Sequence, residues 1–167
     1  MRDLHITLAI SLGFAALLST GCGDDNPTGP VTEPFTASFT AEQSAAPGGR
    51  CPALTVSITG SGQAQPGGAF TTEQSHCVDP GGANPLAATE GQFTFTFASG
   101  ATLTGSYTDL LVPTATPGVF HLDGAASFTG GSGEFAGASG SAEATGTLNL
   151  QTGEATGLGL TGTITRS

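Results

Sequence analysis

From Phe35 to the C-terminus, apolar residues fall on alternate positions, and this period of two constrains the chain more than any other feature. Successive side chains of a strand point to opposite faces, so an alternating run buries one face and wets the other. Phe35, Ala37, Phe39 and Ala41 mark a first strand, Leu54, Val56 and Ile58 a second, and Phe70 opens a third. Phe93, Phe95 and Phe97, with Thr94 and Thr96 between them, mark a fourth, and after a Ser99-Gly100 turn Leu103, Gly105 and Tyr107 mark a fifth. Even-numbered positions from Phe120 to Phe128 give a sixth and those from Gly140 to Leu150 a seventh; beyond Thr152-Gly153, Leu158 to Ile164 give an eighth. No stretch has a helical period. The pattern predicts an all-β domain, an eight-stranded antiparallel up-and-down barrel. Closure removes exposed edges and leaves an interior wide enough for side chains or one small ligand. A two-sheet β-sandwich is the alternative. Large inward residues on strand four against inward Gly and Ala on strands six and seven fit a tapered lumen with a small cavity.

Composition agrees. The 167 residues include 27 Gly and no Trp, which disfavours helix and favours strands and turns. Formal net charge is −10, and beyond the first residues the only cations are Arg50 and Arg166. A polyanion needs a basic footprint, so nucleic acid is excluded as a partner. The same charge repels anionic headgroups, so membrane attachment would need a covalent anchor.

Such an anchor is written at the N-terminus. Arg2 precedes an apolar run from Ile6 to Leu18, and Leu18-Ser19-Thr20-Gly21-Cys22 follows. The run is short for a bilayer span and reads as a signal peptide. It resembles the signal of bacterial lipoproteins, although Ser19 stands where that motif usually has Leu. The resemblance implies cleavage before Cys22 and acylation there with diacylglycerol and a further fatty acid such as palmitate. An ordinary secreted protein cut near Gly21 is the alternative. Each buried methylene contributes roughly 0.8 kcal/mol, and several chains anchor where one holds only marginally. Residues 1–21 are thus read as signal, 22–34 as lipidated cysteine and flexible tether, and 35–167 as the barrel. With Gly23 rather than Asp after the cysteine, outer-membrane delivery within the cell envelope is expected.

With Cys22 assigned to lipid, Cys51 and Cys77 form an even pair in an oxidising compartment, and a disulfide is the simplest reading. A turn over Gly62–Gly68 would fold the chain about residue 64 and bring the two opposite each other. No metal site is expected, since the cysteines lack C-x-x-C spacing, and no cofactor motif is present.

The segment from Phe128 to Ala142, FTGGSGEFAGASGSA, resembles the glycine-rich segment of dirigent proteins, allene oxide cyclases and related bacterial secreted proteins. Residues 93–109 and 146–164 resemble the flanking strands of the bacterial members. The resemblance covers most of residues 35–166 and implies a dirigent-like or allene oxide cyclase-like barrel, with Phe135 plugging one end. No family site residue maps onto this chain one by one, so no activity carries over.

Strand parity sorts the acids. Glu42, Glu73, Glu90, Asp123 and Glu143 fall outward, and Asp79, Glu134 and Glu154 fall in turns. Asp109 alone among strand acids shares inward parity, with Tyr107, unless residues 110–112 contain a bulge. Thr72, Gln74 and His76 are inward on strand three. Gln74, His76, Tyr107 and Asp109 are therefore the candidate pocket rim, with no catalytic residue assigned. Two functions are expected to compete. The first is a non-enzymatic envelope lipoprotein whose barrel binds a small apolar ligand or a protein partner, with no essential acid or base in the lumen. The second is a dirigent-like or cyclase-like enzyme with Asp109 or His76 as proton acceptor. A Phe-filled interior favours the first, and a cavity of several hundred Å³ with converging polar groups the second.

Overall fold

The computed structural model describes residues 29–167, so the signal segment and Cys22 lie outside the described residues. Eight strands follow one another: β1 Val31–Pro47, β2 Leu54–Gln65, β3 Gly68–Val78, β4 Ala87–Phe97, β5 Thr102–Pro113, β6 Val119–Ser132, β7 Ser139–Asn149 and β8 Glu154–Arg166. Each pairs antiparallel with the next, and β8 pairs with β1 to close an up-and-down barrel. The only helical turn among the described residues is the 3-10 turn Gly133–Phe135.

Alternation gives the wall two unlike faces. Outward positions such as Thr59, Glu73, Gln92, Thr96, Ser106 and Glu143 are polar and exposed, unlike the apolar outer band of a membrane-spanning barrel. Inward positions supply the core. Between the faces, glycines receive side chains from the neighbouring strand: Gly91 lies opposite Tyr107, and Gly105 opposite Phe93, where a Cβ would overlap the facing ring.

One end of the barrel, the base, holds both Val31 and Arg166 and the β2–β3, β4–β5 and β6–β7 connections. It is filled by Phe35, Phe70, Phe93, Phe95, Phe97 and Phe128 and capped by fully buried Phe135, whose ring stacks on Phe97 at 4.6 Å. Arg166 lies over Phe135, its guanidinium carbon 5.5 Å from the ring centre, and pairs with Glu33 and Glu134. One cation thus ties the last strand to the first and to the plug. Gly133 and Gly137, at φ 61° and 67°, take the left-handed conformations that turn the chain around Phe135.

Two boundaries differ from the sequence reading. β1 begins at Val31, four residues inside the expected tether, because β8 runs on to Arg166 and offers it a partner. The β2–β3 turn is at Pro66–Gly67, with Leu54 opposite Val78 and Thr55 opposite Cys77, so the ladder does not place Cys51 opposite Cys77. The disulfide forms nevertheless, with Cα atoms 5.4 Å apart. The β1–β2 loop doubles back, with Gly48 N–H donating to the Ala53 carbonyl and Thr55 Oγ1 to that of Gly48, and this lays Cys51 over the outside of β3.

Candidate functional site

At the opposite end, the mouth, the facing side chains are too small to meet. β6 and β7 contribute Gly124, Ala126 and Ala144 where the base has Phe and Ile, and a cavity of about 240 Å³ remains. Its floor is Phe39, Phe93 and Phe95, and its walls include Val56, Ile58, Leu122 and Leu160. Leu54, Val78, Leu86, Leu111 and Leu150 ring the opening. An engineered apolar cavity of roughly 150 Å³ stays dry and admits benzene, so this one has room for a bicyclic ring or a chain of similar bulk.

Gln74, His76, Tyr107 and Asp109 all line this cavity. β5 pairs with β6 without interruption from Gly105 to Pro113, so residues 110–112 contain no bulge and Asp109 stays on the inner face. Gln74 Nε2 donates to Thr72 Oγ1 at 3.2 Å along the same strand. His76 Nδ1 and Tyr107 Oη share a hydrogen bond of 2.8 Å, with the rings edge to face. Burial, aided by the Arg50 guanidinium, lowers the His76 imidazole to about 4, so it is neutral at pH 7. Burial, reinforced by Asp109, pushes the Tyr107 phenol well up, and it too is neutral.

Asp109 is the member of the four that the protein leaves unsatisfied. Its Oδ1 is fully buried with no hydrogen-bond partner, and burial raises its carboxyl to about 6. The side chain fits because its cross-strand neighbour is Gly124: a Cβ there would overlap Oδ1. An unpaired buried carboxyl costs free energy on the order of 1–3 kcal/mol or more.

Arg50, which the sequence reading counted only as charge, supports the site from outside the wall. Its Nη2 donates to the Ser75 carbonyl at 2.9 Å and the Glu90 carbonyl at 2.6 Å, and Nη1 lies 3.6 Å from the Glu90 carboxylate. With the adjacent Cys51–Cys77 bridge it clamps the β1–β2 loop behind His76. Glu90 adopts φ 53° in a β4 bulge, a conformation that no pattern of alternation announces. His121 and Asp123 are exposed on the outer face of β6, away from the lumen.

Fold and site together define a small one-mouthed cup, a closed antiparallel barrel whose base is solid and whose mouth half encloses an apolar cavity with one unsatisfied acid. Comparison of the chain with protein families, curated proteins and solved structures yields no match.

Proposed function

We propose that the protein is an envelope lipoprotein, anchored through Cys22, whose barrel binds a small apolar molecule in its lumen. The observation that carries this reading is the 240 Å³ cavity with predominantly aliphatic and aromatic walls. Burying ligand surface against such walls contributes roughly 25 cal/mol per Å² of apolar area. The chain's point of entry is consistent with such an anchor. Val31 enters at the base, so a short tether to the outer membrane points the mouth away from the bilayer.

Naphthalene, which has no polar group, tests the cup alone. With no Trp and one Tyr in the chain, its fluorescence is readable against the protein. Saturable one-to-one binding is expected, and Ala144→Phe, which fills the cavity, should abolish it while the variant still melts cooperatively. Absence of saturable binding to folded wild-type protein would sink the reading.

One observation favours an enzyme of the dirigent-like or cyclase-like kind, namely a carboxyl held at about 6 beside Tyr107 in an apolar site. Turnover of an apolar substrate that vanished in Asp109→Asn or His76→Ala, with both variants melting like wild type, would establish that reading instead.

A further inference from the structure

The cavity and the unsatisfied carboxyl together narrow what the cup holds. Within the lumen, the His76–Tyr107 bond engages both rings, and the Gln74 amide nitrogen is tied to Thr72. Asp109 has no protein donor: Oδ1 is pressed against β6 at Gly124, leaving Oδ2 as the oxygen a ligand can reach. Resting on the reading of the barrel as an apolar cup, we propose that its ligands are uncharged apolar alcohols or phenols whose hydroxyl donates to the Asp109 carboxylate while the hydrocarbon body lies on the Phe floor.

The chemistry follows from what the walls lack. An apolar molecule without a donor leaves the carboxylate desolvated and unpaired, so closing the cavity over it forfeits part of the hydrophobic gain. A carboxylic acid brings a second negative charge to a lumen with no cation inside it. An ammonium head would have its hydration shell replaced by a single carboxylate, which does not offset its desolvation. A neutral hydroxyl needs only one strong acceptor, and a charge-assisted bond to an ionised acceptor is about twice as strong as a neutral one. Gly124 has a specific part here: by accepting the carboxyl against β6, it keeps Asp109 on the wall and the lumen open for the ligand.

The test compares 2-naphthol with 2-methoxynaphthalene, close in shape and differing in the donor. At pH 7.5, 2-naphthol is expected to bind wild-type protein roughly tenfold or more tighter, the ratio a charge-assisted hydrogen bond supplies. In Asp109→Asn and Asp109→Leu that ratio should collapse toward one. Equal binding of the two ligands by wild-type protein would overturn the Asp109 assignment while leaving the cup intact. So would a ratio that persists in both variants, which would move the acceptor to His76 or Tyr107. Failure of both ligands and of naphthalene to bind would overturn the cup itself. If neither variant folds, the wild-type ratio at pH 5, below the Asp109 carboxyl and above the His76 imidazole, decides the acceptor: it falls if Asp109 accepts and persists if His76 or Tyr107 does.

Discussion

Asp109 and His76 occupy one lumen, and burial moves them in opposite directions, the carboxyl up to about 6 and the imidazole down to about 4. The consequences for stability are opposite in sign. As pH falls from about 6 to 4, folded Asp109 binds a proton before its unfolded counterpart and stabilises the fold. Over the window from about 6.5 to 4, unfolded His76 binds its proton first, and the fold loses stability. Each effect is on the order of 1–3 kcal/mol, so the two largely cancel in wild-type protein. Denaturant titrations should therefore show stability falling with acidification in Asp109→Asn and rising in His76→Gln over pH 6.5 to 4. Parallel pH profiles for the two variants would contradict the burial of one or both groups. Phe95, 1% exposed and stacked on Phe70 at 4.3 Å, sits where the base meets the cavity floor. Its replacement by Ala should cost about 3–5 kcal/mol in chemical denaturation through cavity formation. Parity sufficed to turn Asp109 inward. That its neighbour would be Gly124, and that its oxygen would lack a donor, depended on register across the β5–β6 loop, which no local pattern specifies.

At the scale of elements, the wall departs from simple alternation at its bulges. In β8 the register shifts near Gly157, at φ 59°, so that Ala155 and Leu158 both face the lumen although they are three residues apart. In β4 the bulge at Thr89–Glu90 does the same for Ala88 and Gly91. Both lie toward the mouth and re-aim small or aliphatic side chains at the cavity. An alternation reading that starts from the Phe or Leu runs stops where these bulges begin. The β1–β2 loop is held by two kinds of contact, the Cys51–Cys77 bridge and the Arg50 hydrogen bonds. The double replacement Cys51→Ser with Cys77→Ser should cost roughly 3–4 kcal/mol in the chain-entropy account of a loop of this length. An unchanged urea midpoint would show that Arg50 alone suffices. The cysteine pairing was legible from counting, whereas the route to it, a loop folded back over β3, was not.

The whole molecule is polarised along the barrel axis. The base is packed with aromatic side chains and closed by the Phe135 plug under Arg166, and the mouth is ringed by aliphatic side chains over a cavity. If Cys22 carries lipid, chain entry at the base keeps that end within about 29 Å of the bilayer, the most that residues 23–30 span when fully extended. Wild-type protein should partition into detergent and carry acyl mass on its mature N-terminus by mass spectrometry, and Cys22→Ser should remain as uncut, unlipidated precursor. A mature N-terminus without acyl mass would remove the anchor and leave the cup free in solution.

By itself the sequence determined the class of fold, because a period of two repeated eight times, with short polar connections, leaves a closed or stacked β structure as the way to bury one face of every strand. It determined which acids face water, since parity is a local property. Only the tertiary structure decided between barrel and sandwich, because the β1–β8 pairing joins residues as far apart as Val31 and Arg166. Closure also decided that Phe35, Phe70, Phe97, Phe128 and Phe135 would gather at one end while Gly124, Ala126 and Ala144 lie side by side on β6 and β7 toward the other. A cavity is the volume left when particular small residues meet, and such meetings are set by register and curvature around the whole barrel.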